Sequence, residues 1–193
     1  MTRIARVTLK SESPISFSKY VSTPKKEKES YNDYEERTWR ERCHYDKLTH
    51  EIFIPPMMFA NALKETAKYL SDELKVEGNA RTRYTKNFES GVMVVDKLPL
   101  GIKLEDVQSE TNLVPSDGKR GGTTRVLKTF PVIYNWSGTV DYIILDDKIT
   151  LEVFEKVLRE CGMIMGIGRF RPRKWGYYGR FSVQKIEWRD YEV

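Results

Sequence analysis

The order in which hydrophobic spacing changes along the chain limits the folds open to it more than any other feature of the sequence. Arg3 to Lys10 alternates, with Ala5, Val7 and Leu9 set between Ile4, Arg6, Thr8 and Lys10, which is the period of a strand. Ile52-Phe53-Ile54 and Pro55-Pro56 then lead into a helix from about Pro56 to Leu74, where Phe59, Leu63, Ala67 and Leu70 fall on one face. Val92-Met93-Val94-Val95 is a short apolar run of the kind that forms a strand buried on both faces. Period two returns from Phe130 to Leu145, through Val132, Tyr134, Trp136, Val140, Tyr142 and Ile144, and predicts one long strand bent or bulged at Ser137-Gly138. Thr150 suits a helix N-cap, and Phe154, Leu158, Cys161 and Met165 share the face of the helix behind it. Phe181 to Trp188 closes the chain as a strand. Strand, helix, strand, strand, helix, strand is the α+β, ferredoxin-like βαββαβ arrangement, an antiparallel sheet with both helices on one face.

Two excursions interrupt that order, at about 18–50 and 98–128. In the first, Lys25, Lys26, Lys28, Arg37, Arg40, Arg42 and Lys47 are balanced by Glu27, Glu29, Asp33, Glu35, Glu36, Glu41 and Asp46, which predicts a solvated insertion outside the core. The second, Leu98 to Lys128, holds Asp117-Gly118-Lys119-Arg120-Gly121-Gly122 and is either a hairpin or a disordered tip. At 193 residues the chain is long enough for one well-buried core, so a single domain over 1–193 carrying two insertions is expected. Two cysteines, Cys43 and Cys161, are too few for a disulfide framework, and Cys161 lies on the apolar stripe of its helix as a core thiol. No run approaches the ~20 apolar residues of a membrane span, and no signal-type segment opens the chain. A cytoplasmic protein without membrane contact is predicted.

Functional chemistry concentrates between the second helix and the last strand. Gly166, Gly168, Gly176 and Gly179 are interleaved there with Arg169, Arg171, Arg173, Lys174 and Arg180 and with the flat side chains of Trp175, Tyr177 and Tyr178. Glycine lets main-chain N–H groups come close to phosphates, arginine adds charge and forked donors, and aromatic rings stack on unpaired bases. A single nucleic-acid strand is the ligand this mixture fits. Net charge is only +5, with an isoelectric point near 9.1, so the distribution of charge matters more than its total. No acidic residue occurs from Cys161 to Ile186 or from Gly118 to Val140. The latter stretch supplies a second basic zone with Lys119, Arg120 and Arg125; Arg81, Arg83 and Lys86, with Tyr84, form a third.

Ile52-Phe53-Ile54-Pro55-Pro56-Met57-Met58-Phe59-Ala60-Asn61-Ala62-Leu63-Lys64 and the glycine loop, with Gly166, Gly168, Gly176, Gly179 and Arg180-Phe181, resemble the RAMP proteins (repeat-associated mysterious proteins) of CRISPR systems, particularly the backbone subunits that coat guide RNA. The likeness covers about a third of the chain. It departs from the family where a glycine common early in the first helix is replaced by Ala62, and in length, many backbone subunits being longer. A compact or viral relative is as compatible with it as a standard effector subunit. The resemblance implies a modified RNA-recognition-motif core, a helix start and glycine loop that grip an RNA backbone, and insertions that act as fingers or thumb. It also implies self-assembly along the strand, or other CRISPR effector subunits, as partners.

Competing chemistries leave weak marks. His44 and His50 fit the acid–base needs of a metal-independent, guide-processing endoribonuclease, but both fall in the charged insertion. Cys43, His44 and His50 lack paired zinc spacing, and neither Asp33 nor Asp46 has a spacing that marks a metal site. Gly166-Ile167-Gly168 lacks the third glycine of a dinucleotide loop, Arg171 standing there, and no Walker lysine motif occurs. Gly179-Arg180-Phe181-Ser182-Val183 lies on the last strand, whereas an RNA-recognition module carries its aromatic signature on a central one. The sequence thus reads as a non-enzymatic binder of single-stranded nucleic acid, RNA ahead of single-stranded DNA, with no catalytic residue, metal or cofactor. The alternatives are the endoribonuclease and a viral anti-CRISPR decoy or DNA-strand binder on the same fold.

Overall fold

Strict alternation makes the first strand the axis of the molecule. In the computed structural model, which describes residues 2–71, 73–74, 83–116 and 123–191, β1 (Arg3–Ser11) buries Ala5, Val7 and Leu9 completely on one face. It pairs antiparallel with β8 (Ser137–Ile144) on one side and β9 (Phe181–Asp190) on the other. β4 (Val92–Val94) joins the far edge of β8, so the principal sheet runs β4-β8-β1-β9. Two helices cover the face carrying Ala5, Val7 and Leu9. α2 (Pro56–Tyr69) contributes Phe59, Ala62, Leu63 and Ala67, and α4 (Leu151–Glu160) contributes Phe154, Val157 and Leu158. Phe59 meets Phe181 of β9 edge-on at 6.1 Å, and Phe154 meets Tyr142 of β8 at 5.3 Å. The Thr150 hydroxyl accepts from the Val153 amide, so α4 starts where the sequence put it.

The rest of the chain forms two smaller antiparallel sheets around that core. β2 (Ile15–Ser16), β7 (Arg125–Ile133) and β6 (Gln108–Pro115) make one, ordered β2-β7-β6; β3 (Glu51–Ile54) and β5 (Leu98–Lys103) make the other. α1 (Tyr31–Thr38) packs on β7, and α3 (Thr85–Gly91) precedes β4. The α+β class with antiparallel sheets agrees with the expectation. No helix of the described residues is long and apolar enough to cross a membrane.

Four expectations need correction. The single strand over Phe130–Leu145 is two strands in different sheets, because β7 ends at Ile133 and the chain crosses at Trp136 before β8 begins. Trp136 and Ser11 hold that crossing: the Ser11 amide donates to the Trp136 carbonyl at 2.8 Å, and the Trp136 amide donates to Ser11 Oγ at 3.0 Å. Gly138 is not a bend; it sits inside β8, where a Cβ would overlap Leu98 Cδ1 of β5. The Val92–Val95 run is an edge strand of three residues, with Met93 and Val95 exposed, because only β8 pairs with it. The 18–50 insertion is not wholly solvated. Thr38, Trp39 and Cys43 are buried, and the Glu35–Arg42 pair is enclosed at 3.0 Å, so part of the charge balance seen in the sequence is internal pairing. The first helix ends at Tyr69, short of Leu74, although a turn continues with the Leu74 amide bonded to the Leu70 carbonyl. Over 98–128 the chain forms β5, a 3-10 turn at Leu104–Asp106 and β6 antiparallel to β7, the hairpin alternative; its tip, Asp117 to Gly122, lies outside the described residues.

Candidate nucleic-acid interface

The glycine–arginine segment is a folded loop with its own hydrogen-bond scaffold. α4 runs into a π-turn, Cys161–Met165, closed by the Gly166 amide donating to the Cys161 carbonyl at 2.8 Å. Gly166 then turns the chain at a φ of +64°. The strands of the loop are clamped together by Ile167 N–H to the Gly179 carbonyl (3.0 Å) and Tyr178 N–H to the Phe170 carbonyl (3.1 Å). They are tied to the 14–16 segment by Gly179 N–H to the Pro14 carbonyl (2.7 Å) and Arg169 N–H to the Ser16 carbonyl (2.8 Å). Gly176 donates to the Arg171 carbonyl at 3.1 Å. The amides of Gly166, Gly176 and Gly179 are therefore engaged within the protein, which corrects the expectation that they meet phosphates. These glycines serve close packing instead. A Cβ at Gly168 would come 2.7 Å from the Ser16 carbonyl oxygen, and one at Gly176 or Gly179 would overlap the carbonyl oxygen of Phe170 or Ile167.

The arginines divide into two groups. Arg169 lays its guanidinium 3.3 Å from the Phe130 ring centroid and 4.6 Å from that of Phe170, and burial pulls its pKa down to about 10. Arg171 pairs with Glu65 of α2 at 2.7 Å and reaches the Gly166 carbonyl at 3.3 Å. Tyr178 donates its hydroxyl to Glu110 of β6, which also accepts from Tyr134 at 3.1 Å. Burial, followed by the Glu110 hydrogen bond, raises the Tyr178 phenol to about 12. Acidic residues distant in sequence thus enter a stretch that contains none, and Arg169 and Arg171 are pins that hold the loop to the hairpin and to α2. Arg180 is half-buried and bonds the Met163 carbonyl through Nε at 3.2 Å.

Arg173, Lys174, Trp175 and Tyr177 face solvent. A short 3-10 turn, Pro172–Lys174, presents them, and Trp175 closes it at a φ of +60° with 85% of its surface exposed; Tyr177 is 61% exposed. Neither Arg173 nor Lys174 has an acidic partner among the described residues. Trp175 lines a pocket with Tyr69, Ile164, Met165, Pro172 and Arg173. Tyr69, the last residue of α2, carried no sequence signal beyond its place at the helix end.

The other basic zones are only partly described. Arg125 is exposed on β7, five residues from Phe130 and so about 17 Å along the strand from the loop's anchor. Arg83 is exposed, with Nη1 3.5 Å from Ser71 Oγ just past the end of α2. Lys119, Arg120 and Arg81 lie outside the described residues. The open face of the principal sheet holds Ile4, Arg6, Thr8, Lys10, Met93, Thr139, Asp141, Ile143, Lys185, Glu187 and Arg189, with no aromatic among them and with Arg6 paired to Asp141 at 2.7 Å. Its strands therefore offer no aromatic base-stacking platform among the described residues, and the nearest ring is Tyr191, just past β9, which lines a pocket with Ile4 and Arg189.

His44 is half-buried between Phe17 (5.7 Å) and Phe53 (6.2 Å), where burial lowers its pKa; Asp46 is bound to Lys97 at 2.6 Å. Cys43 is buried and its thiol is pushed up to about 12. Among the described residues no group of three His, Cys, Asp or Glu side chains is placed to hold a metal ion.

Strand order, helix placement and loop together define an antiparallel α+β fold, and a solved structure shares it. The chain is similar to one in the cryo-EM structure of the type III-B Cmr-beta bound to cognate target RNA, with a TM-score of 0.56 and 14% identity over 97% of this chain and 60% of that one. It is also similar to the crystal structure of Cmr6 from Pyrococcus furiosus, with a TM-score of 0.49 and 13% identity over 95% and 99% of the two chains. At these identities the likeness is one of fold, and this chain spans about 60% of the first neighbour's length. No family model and no curated protein matches the chain.

Proposed function

We propose that this protein binds single-stranded RNA without cleaving it, as a guide-RNA backbone-like subunit that assembles along the strand with copies of itself or with other CRISPR effector subunits. The observation that carries the reading is the exposed Arg173-Lys174-Trp175-Tyr177 edge, two cations without acidic partners among the described residues beside two solvent-facing rings. Cations that lack internal partners attract phosphates, and exposed rings take up unpaired bases. The first neighbour is described as bound to target RNA, which fits this choice of ligand. The succession β1, α2, β4, β8, α4, β9 in a sheet ordered β4-β8-β1-β9 supports a ferredoxin-like core in a single domain, with 18–50 and 98–128 as its insertions. Arg180, Arg125 and Arg83 add further cations, Lys119, Arg120 and Arg81 are candidate phosphate contacts on their sequence alone, and Arg169 and Arg171 shape the loop.

The test is fluorescence anisotropy with matched single-stranded RNA, single-stranded DNA and duplex DNA over a salt series. Tight, salt-dependent binding that prefers RNA is expected. Each phosphate neutralised on a single strand contributes a slope of about −0.7 in log K against log salt, so the Arg173→Ala/Lys174→Ala double variant should be shallower by about 1.4. An unchanged slope would remove the edge from the interface, and equal affinity for DNA would make the protein a general strand binder.

A further inference from the structure

The pocket beside the loop supplies more than a charged edge. Tyr69, 64% exposed on the last turn of α2, forms one wall, and Trp175 forms another. Ile164, Met165 and Pro172 line the apolar remainder, Arg173 stands at the rim, and about 310 Å³ of space opens to solvent between them. Trp175 holds a left-handed backbone at +60°, a region that bulky side chains rarely enter, yet its indole is largely uncovered. Left-handed backbone in a bulky residue clusters at ligand sites, and the exposed indole leaves a ring face open to one.

We infer that this pocket receives one nucleobase of the bound strand, between the Trp175 and Tyr69 rings, while Arg173 and Lys174 hold the adjoining phosphates; the inference rests on the RNA-binding reading above. A nucleotide matches both halves of the lining, because its base has flat apolar faces and its linkage is anionic. A purely apolar protein side chain would leave the two cations without an anion. The pocket selects for a base but not for its identity: among the described residues its polar side-chain groups are Arg173, the Tyr69 hydroxyl and the Trp175 indole N–H, and no amide or carboxylate side chain stands there to read a base edge. Tyr69 comes from α2 and lies about a hundred residues from the loop in sequence, so the site exists only in the folded chain.

The experiment compares a short oligouridine, an oligoadenosine and an abasic ribose-phosphate chain of the same length, with wild-type protein and with Trp175→Ala and Tyr69→Ala. Cross-links from 5-iodouridine RNA are mapped on the wild type, and thermal melts confirm that both surface variants fold. The inference expects cross-links on Trp175 or Tyr69 and about 5- to 100-fold weaker binding of either oligomer by each variant. It also expects no difference between variants and wild type on the abasic chain. RNA binding that is unchanged in both variants, with cross-links elsewhere, overturns the pocket and leaves the RNA-binding reading standing. So does a Trp175→Ala protein that keeps its RNA affinity but loses a neighbouring effector subunit, which would make the pocket a protein socket. No RNA binding by the wild type overturns both.

Discussion

Glycine 179 shows how much one hydrogen atom decides in the loop. Its φ is +79°, and a Cβ there would overlap the Ile167 carbonyl oxygen, to which no side-chain rotation offers escape. Gly101 has a comparable φ of +66° but open space around the added carbon. Gly179→Ala is expected to destabilise the protein by about 2–4 kcal/mol, and Gly101→Ala by about 1 kcal/mol, the difference measuring the clash separately from the backbone strain. Urea unfolding of the two variants checks this, and equal losses would mean that the loop yields. Glycines were visible in the sequence as signs of close approach, but the approaching atom proved to be a carbonyl of the protein itself. Nothing local distinguishes that from a phosphate.

At the scale of elements, the insertion is anchored by one buried pair. Glu35 of α1 accepts from the Thr129 amide of β7 at 2.7 Å, and Arg42 donates to the Thr129 carbonyl at 3.1 Å while pairing with Glu35. Removing one partner strands a charge in an enclosed site, so Glu35→Ala should destabilise by about 3–5 kcal/mol, whereas Glu35→Leu/Arg42→Met should lose less than the sum of the two single substitutions. A double-mutant cycle in denaturant measures the coupling, and strict additivity would contradict it. The same β7 strand carries Phe130, which stacks with Arg169, so hairpin, insertion and loop share one support. Helix starts were legible because Thr150 and Pro56 act within a turn of themselves. The division of 130–145 between two sheets was not, since both strands alternate and only their partners differ.

For the whole molecule, one buried apolar cluster includes both Cys43 of the insertion and Cys161 behind α4. Burial pushes both thiols up to about 12 from an ordinary 9.0. A raised pKa in the folded state means stability that is fully present below pH 9 and is lost as the pH rises toward 12, where the unfolded chain releases protons that the native one keeps. Near pH 8 a thiol reagent should therefore label the two cysteines only through unfolding, at similar rates and in one cooperative step; much faster labelling of Cys43 would show that the insertion opens by itself. By itself the sequence determined the α+β class, the first strand, the starts of the two main helices and the place of the glycine–arginine loop, because these follow from periodicities and caps that act over a few residues. Only the tertiary structure decided which cations face outward. Arg171 meets Glu65 across 106 residues and Tyr178 meets Glu110 across 68, and whether a charge is neutralised depends on what the fold brings beside it.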